Sequence, residues 1–360
     1  MKIAFYINAI HEGGAERVMV NLASNFANEG DNVILITSFK DSWEYPYSTK
    51  IKRYILEENK TFRSKIKRNI FRILELRKVL KVESPDCIVS FMAEPNYRAI
   101  IASHGLKIKT IISVRNDPNK EYPGKIGNLL GKKLLPLADG CVFQTSEAQR
   151  WFPKKLQDKS QIIFNAVKED FFEINRQVVK NTIVTCGRLE EQKNHKMLIN
   201  AFELVLKKHP DAKLMIYGEG KLRSDLTELI KSKGIEQNVL LCGNSNNVPE
   251  VLSKAEIFVL SSDYEGMPNA LMEALAAGVP CISTDCPCGG PEMLIQQNKN
   301  GILIPVGNIK ELFLKICDLL ENEDFREIIG SNARNSAKQY KSQVVFQQWQ
   351  LYIQNILKNR

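Results

Sequence analysis

The sequence predicts an α/β protein of two doubly wound domains, and three observations carry that reading. At 360 residues the chain is longer than one ordinary hydrophobic core accommodates, so two domains are expected. Short, continuously apolar runs alternate with amphipathic helical stretches, the pattern of parallel strands covered on both faces. One stretch, FNAVKEDFFEINRQVVKN at 164–181, breaks the alternation and reads as the linker.

In chain order the strand-like runs are KIAFYI, NVILIT, CIVSFM, TIISV and GCVFQT, then TIVTCG, KLMIYG, VLLCG, IFVLS and PCIST. This gives a first domain over 1–165 and a second over 166–340. A last helical segment over 341–360, containing SQVVFQQWQLYIQNILKN, is expected to pack back on the first. In sheets of this kind ligands sit beyond the carboxyl ends of the strands, here expected in a cleft between the domains.

Composition excludes several classes. With 44% apolar and 25% charged residues, the chain is ordinary for a soluble α/β protein and unlike a disordered one. No apolar run is long enough for a membrane span, and MKIAFYINAIHEGG reads as strand and loop rather than a secretory leader. Cys87, Cys141, Cys186 and Cys242 lie in or beside strand-like runs, where reduced, buried thiols of a cytoplasmic protein are expected. Only CISTDCPCGG (Cys281, Cys286, Cys288) is cysteine-dense. Without a nearby histidine or a second cysteine pair it reads as a loop, not a zinc site.

The net charge of +9 is uneven. Residues 1–170 hold 28 Lys and Arg against 19 Asp and Glu, whereas residues 171–360 hold 22 of each. The densest basic part is KTFRSKIKRNIFRILELRKVLKV (60–82), where Phe62, Ile66, Ile70, Ile73 and Leu80 recur at roughly helical spacing. GKIGNLLGKKLLPL (124–137) is a second apolar-basic segment. Two readings stay open: solvated cationic faces, or peripheral docking on the anionic inner face of a cell membrane. No aromatic-interleaved basic motif or DNA-reading helix occurs, so nucleic acid is not an expected partner.

Three loops that follow strands carry the chemistry. The first holds Gly13 and Gly14 before a helix expected from about Ala15; glycine lets backbone amides approach an anion, and the helix N-terminus favours one. Its spacing is not GxGxxG, which argues against a dehydrogenase. The second, RLEEQKNH, presents Arg188 and Lys193, which either pair with Glu190 and Glu191 or clamp a diphosphate. The third is DYEG, followed by Pro268 at the expected first helical position and by Asn269, Ala270 and Leu271, whose amides suit a phosphate.

Two glutamates stand out there. Glu265 lies on the loop and Glu273 in the second helical turn, among Ala270, Leu271, Met272, Ala274, Leu275, Ala276 and Ala277. Such a helix should be buried, and an unpaired carboxylate inside it is costly. The helix dipole accounts for one acid better than for two. A ligand offering hydroxyls, such as a ribose and a hexose, would satisfy both.

The stretch EGMPNALME (265–273), preceded by GRLEEQKN and YGEGKLR and followed by STDCPCGGPE, resembles the E-x7-E signature of glycosyltransferase family four. These are retaining enzymes of the GT-B fold, two Rossmann-like domains facing across a cleft. The resemblance covers essentially the whole chain, because GGAERV matches the family's glycine loop. GGAERV, VSFMAEPN and SVRNDP further resemble bacterial transferases that build capsular, exopolysaccharide or lipid-linked glycans.

The resemblance implies that Arg188 and Lys193 hold the donor diphosphate, with Gly13 and Gly14 lining it from the other domain. Glu273 would receive the ribose hydroxyls and Glu265 those of the transferred sugar. Gly243 and Val248 in LCGNSNNV would hold the base, and Gly218 of YGEG a neighbouring loop. Many relatives carry a histidine in the first domain's cleft; here SVRNDP offers Arg115 and Asn116 on the acceptor side. No histidine is therefore assigned a catalytic role: His11 reads as a turn residue, His104 and His209 as helix-end residues, and His195 simply follows the clamp.

The implied reaction moves a hexose or N-acetylhexosamine from a nucleotide-diphosphate sugar, a UDP-sugar first, to a polyprenyl-diphosphate-linked bacterial surface glycan. It uses no cofactor and no metal. No D-x-D sequence occurs, DYE at 263–265 being the nearest. Cations and helix N-termini would stabilise the departing diphosphate, which takes the acceptor's proton. The rivals are a nucleotide-sugar epimerase of similar fold and a non-enzymatic nucleotide-sugar or membrane-binding protein.

Overall fold

The computed structural model describes residues 1–358 apart from Glu12, Asn59 and Thr61. The chain divides into two units, Met1–Asn165 with Val345–Arg360, and Ala166–Val344.

The first unit is a seven-stranded parallel sheet: β1 (Lys2–Ile7), β2 (Asn32–Thr37), β3 (Lys52–Ile55), β4 (Cys87–Phe91), β5 (Lys109–Ser113), β6 (Gly140–Phe143) and β7 (Ser160–Ile162). Their order is β3-β2-β1-β4-β5-β6-β7, with Ile3 in register with Val33 on one side and Cys87 on the other. Central β1 and β4 are buried on both faces, which is why they read as unbroken apolar runs. The helix Gly14–Asn28 lays Val18, Leu22 and Phe26 inward at helical spacing.

The helix Ser342–Lys358 closes this unit through its later turns. Phe346 meets Phe26 edge-on with ring centres 4.8 Å apart, and Trp349 lies 5.7 Å from Phe91. The Tyr352 hydroxyl accepts from the Cys141 amide (2.8 Å) and donates to the Lys159 carbonyl (2.6 Å), so its polar tip is satisfied where the ring is buried.

The second unit holds six parallel strands: β8 (Thr182–Cys186), β9 (Lys213–Tyr217), β10 (Val239–Gly243), β11 (Ile257–Leu260), β12 (Cys281–Thr284) and β13 (Ile302–Ile304). Their order is β10-β9-β8-β11-β12-β13. Ile183, Leu198, Phe202, Leu214, Ile216, Val259 and Ile282 form its core beneath the helices His195–Leu206 and Ile309–Glu321. In each sheet the chain runs outward over three strands and then returns to the far side of the first. The reversals fall between β1 and β4 and between β8 and β11. In doubly wound sheets ligands sit beyond the strand ends at such a reversal.

Three strands depart from the sequence expectation. β3, β7 and β13 all lie at sheet edges, are three or four residues long, and are half-exposed in part. β3 and β7 bury too little to need an apolar run, so their sequences resemble loops, whereas β13 is apolar (Ile-Leu-Ile) but only three residues long. Two helix starts also shift. The first-unit helix begins at Gly14, and Pro268 caps the helix Asn269–Ala276 from outside instead of opening it.

The basic helix spans Lys65–Glu83 and separates the apolar set read as one face. Leu76 and Leu80 enter the core, whereas Ile66, Ile70 and Leu74 are exposed. Arg72, read with the solvated cations, is buried in a two-pronged pair with Glu57 at 2.6 and 2.7 Å. All eight cysteines are free thiols; Cys186 and Cys242 are half-buried and the others buried.

Candidate functional site

At the reversal of the second unit, the loop after β8 (187–194) runs beside the loop after β11 (261–268). Side chains fasten the two together. The Asn194 amide donates to Asp263 Oδ1 (2.7 Å), the Ser261 hydroxyl to the Lys193 carbonyl (2.9 Å), and the Asp263 amide to the Gln192 carbonyl (2.9 Å). Asn194, at φ +44°, also caps the helix His195–Leu206 by accepting from the Met197 amide, so one residue ends the loop and starts the helix.

Lys193 and Glu265 meet at the centre of this pair of loops, Nζ to Oε1 at 2.5 Å. The Ser262 hydroxyl donates to the same oxygen at 2.7 Å, and Gln192 Nε2 reaches Oε2 at 3.4 Å and the Tyr264 carbonyl at 2.9 Å. Glu265 is 6% exposed. Its backbone is also held, the amide donating to the Pro287 carbonyl (2.6 Å) and the carbonyl accepting from Cys288 (2.8 Å). A buried ion pair with these added hydrogen bonds is satisfied without a ligand. Arg188 behaves otherwise. Its side chain is 62% exposed and touches only the rim, with Nη1 3.2 Å from Glu190. Of the two partners the sequence offered, Glu190 is taken by Arg188, and Lys193 passes over both for an acid 72 residues on.

The helix Asn269–Ala276 starts next to this pair, and Pro268 provides no side-chain cap for the first turn Asn269, Ala270 and Leu271. Glu273, 7% exposed, lies in the following turn. Burial, and then the Glu273 charge, push the Cys186 thiol at the end of β8 upward.

Close backbone packing fixes the site's floor. A Cβ on Gly218 would stand 2.0 Å from the Gly187 carbonyl oxygen, one on Gly220 2.5 Å from that of Leu189, and one on Gly290 1.8 Å from that of Gly266. The Gly218 amide bonds to the Gly243 carbonyl at 2.8 Å, joining two of the predicted glycines. Val248 opens a short helix capped by Asn247 on the adjoining loop. His195 is buried against the Arg188 carbonyl (3.3 Å), and burial lowers it to about 4, so it is neutral at ordinary pH.

The first unit holds the remaining candidates. Gly13 precedes the helix Gly14–Asn28, and the Glu16 carboxylate folds against it, 2.0 Å from where a Cβ would be. An acid of the chain itself thus stands at the helix N-terminus assigned to an anion. Arg115 is buried, its guanidinium 4.4 Å from the Phe91 ring centre and Nη2 2.5 Å from Asn165 Oδ1. Asn116 follows it and accepts from the Asp117 amide at 2.9 Å. Glu121 receives the Arg115 amide at 3.4 Å. Burial pushes its carboxyl up to about 7, against the backbone amides of Arg115, Asn116 and Ala93.

Comparison with known proteins agrees with this picture. The family described as "Glycosyl transferases group 1" matches residues 166–336, and "Glycosyltransferase Family 4" matches residues 12–171. An uncharacterised glycosyltransferase of Methanocaldococcus jannaschii is 30% identical over 81% of this chain and 84% of its own length. The chain belongs to glycosyltransferase family 4.

An N-acetylgalactosamine-N,N'-diacetylbacillosaminyl-diphospho-undecaprenol 4-alpha-N-acetylgalactosaminyltransferase of Campylobacter jejuni is 28% identical to this glycosyltransferase, over 94% of this chain and 95% of the relative. Among solved structures, Anabaena HepE in complex with UDP and glucose superposes with a TM-score of 0.82 at 18% identity, covering 98% of this chain and 99% of that one. Sucrose-phosphate synthase of Thermosynechococcus elongatus gives 0.85 at 16%, covering all of both. At such identities the structures establish the GT-B fold alone.

Sequence reasoning about this glycosyltransferase missed Gln192, Asn194, Ser261 and Asp263, which lock the two loops. Asn194 before an apolar helix was a readable cap signal. The others are single polar residues whose partners lie some seventy positions away, and no local pattern marks them.

Proposed function

We propose that this glycosyltransferase moves a hexose or N-acetylhexosamine from a nucleotide-diphosphate sugar, a UDP-sugar first, to a hydroxyl of a polyprenyl-diphosphate-linked glycan. The transfer retains anomeric configuration and uses no metal at the reacting centre. The observation that carries the reading is the Lys193–Glu265 pair at the switch point of the second sheet, beside the start of the helix Asn269–Ala276 and the exposed Arg188. Arg188 is free to swing from the rim onto a diphosphate, since an exposed pair with Glu190 holds it by only about 1 kcal/mol or less. The first-turn amides add fixed donors for the same charge. Lys193 partly neutralises a leaving diphosphate while orienting Glu265, which then accepts a sugar hydroxyl through Oε2. Glu273 takes the ribose. Preorganised donors of this kind act where the leaving group's charge grows, and the departing phosphate receives the acceptor's proton.

The relatives support the acceptor class, since the Campylobacter protein is named for an undecaprenol-diphosphate acceptor. Exposed Ile66, Ile70 and Leu74, spaced one turn apart on the basic helix, support docking on an anionic membrane surface. No helix among the described residues is long and apolar enough to cross a membrane.

A panel of UDP- and GDP-sugars, scored by thermal shift on the wild type and on Glu265→Gln and Glu273→Gln, tests the donor site. At least one UDP-sugar should stabilise the wild type, and both variants should lose that shift while staying folded, Glu265→Gln from a lowered unliganded Tm because it strands Lys193. Equal shifts in all three proteins would refute the assignment, and a product of inverted anomeric configuration would refute retention.

A further inference from the structure

A second cluster of chemistry-bearing side chains lies in the second unit, apart from the donor site. His209, Cys317 and Glu321 bring an imidazole nitrogen, a thiol sulfur and a carboxylate oxygen to within 4.8 Å of one another. Two elements supply them. Cys317 and Glu321 are one turn apart on the helix Ile309–Glu321, which places both on one face. His209 follows the helix His195–Leu206. Its backbone is fixed by bonds from its amide to the Val205 carbonyl (2.8 Å) and from the Ala212 amide to its own carbonyl (3.0 Å). Its Nε2 points at Glu321 Oε1 from 3.1 Å, while Cys317 is buried behind them.

The surroundings favour a cation. A surface cavity beside the cluster is lined by Asp318, Glu321, Asn322, Glu323, Asp324 and Phe325; Lys315 pairs with Asp318 at 3.0 Å, the other acids border the approach, and the half-exposed Glu321 leaves room for a water as fourth ligand. The nearby Lys208 ammonium stands 5.7 Å from the Phe313 ring centre, held over an aromatic face. A histidine hydrogen-bonded to a glutamate needs no thiol beside it, and a packed cysteine needs neither. Their convergence is what a ligand explains.

We propose that His209, Cys317 and Glu321 form a binding site for a zinc-class divalent ion. Sulfur, nitrogen and oxygen donors together suit Zn²⁺ and its analogue Co²⁺ rather than Mg²⁺ or Ca²⁺, which take oxygen alone. Binding replaces the Cys317 thiol proton by the metal and releases that proton to solvent. The ion has a structural role. The helix His195–Leu206 runs away from the donor loops for 12 residues, about 18 Å, before the chain reaches His209. A metal there ties the turn at 207–212 to the helix Ile309–Glu321 and takes no part in transfer.

The test is cobalt titration of the metal-stripped, full-length protein, read by absorbance. One equivalent should develop a thiolate-to-cobalt charge-transfer band that Zn²⁺ displaces, and Zn²⁺ should raise the Tm. Cys317→Ser should abolish the band, and His209→Gln and Glu321→Gln should each weaken binding at least tenfold. Cys286→Ser, in the cysteine-dense stretch CISTDCPCGG, should keep it. Glu321 is exposed enough that its variant folds normally. No band in the wild type, an undiminished band in Cys317→Ser, or its loss in Cys286→Ser would overturn the proposal.

Discussion

Lys193 and Glu265 hold one another in a buried pair, so either one removed alone leaves a stranded charge. Lys193→Ala should destabilise the second unit by about 3 kcal/mol in denaturant melts. Adding Glu265→Gln to it should recover most of that loss without restoring donor binding, because the cost lies in the unpaired carboxylate. A double variant no more stable than the single one would show that the pair is not coupled. Gly290 makes a related prediction. Its missing Cβ leaves room for the Gly266 carbonyl at the base of the Glu265 loop, so Gly290→Ala should push that loop outward and weaken donor binding. Gly234→Ala, with open space around it and φ +66°, should cost only about 1 kcal/mol and leave binding unchanged.

Glu121 ties stability to pH. Burial raises its carboxyl to about 7, so the folded state disfavours the charged form. Its contribution is fully present below the ordinary carboxyl value of about 4.5 and is lost as pH rises through about 7. Glu121→Gln should therefore gain about 1–3 kcal/mol on the wild type between pH 4.5 and pH 8. Melts at both pH values check this, and a constant difference would contradict it. At this scale the sequence was half legible. It singled out Arg188, Lys193, Glu265 and Glu273, because charges after strands and inside apolar helices are anomalous, and the structure brings Lys193 and Glu265 together. It could not show that Lys193 prefers Glu265 to Glu190 or Glu191, since that choice depends on which strands become neighbours.

Among elements, the basic helix Lys65–Glu83 is two-faced. Its buried face uses Leu76, Leu80 and the Arg72–Glu57 pair, and its exposed face carries Ile66, Ile70 and Leu74 among lysines. Linear spacing placed Leu80 with Ile66 and Ile70 because a 3.6-residue period drifts over fifteen positions. If this face docks on lipid, the wild type should co-sediment with anionic vesicles in a salt-sensitive manner. Lys65→Glu with Lys67→Glu, or Ile66→Ser with Ile70→Ser, should weaken that at least tenfold, at about 1 kcal/mol per basic residue. Arg72 is unsuited to the test because its loss strands Glu57. Unchanged co-sedimentation in both variants would remove the membrane reading. Three of the four edge strands were the other illegible elements. Lys52–Ile55 and Ser160–Ile162 pair on one side only and need no continuous apolar sequence, and Ile302–Ile304 is apolar but only three residues long.

Across the whole molecule, two doubly wound sheets were legible because their central strands are buried on both faces and cannot avoid being apolar. The return of the chain was expected as a last helical segment packing back on the first domain, though not which residues it would meet. Phe346, Trp349 and Tyr352 complete the first unit from the far end of the sequence, closing over Phe26, Phe91 and Cys141. A chain ending at Val344 should leave the first unit with a lowered melting transition, while the second unit, continuous over Ala166–Val344, keeps its own. A single unaltered transition would contradict that division.

The most direct measurement is calorimetric titration of UDP into the wild type and into Arg188→Ala. Arg188 is exposed, so its removal cannot disturb the fold, and any loss reports on the diphosphate. If the loops after β8 and β11 hold the nucleotide, the variant should bind UDP at least tenfold more weakly and uridine equally well. Equal affinity for UDP in the two proteins would place the nucleotide elsewhere and contradict the site.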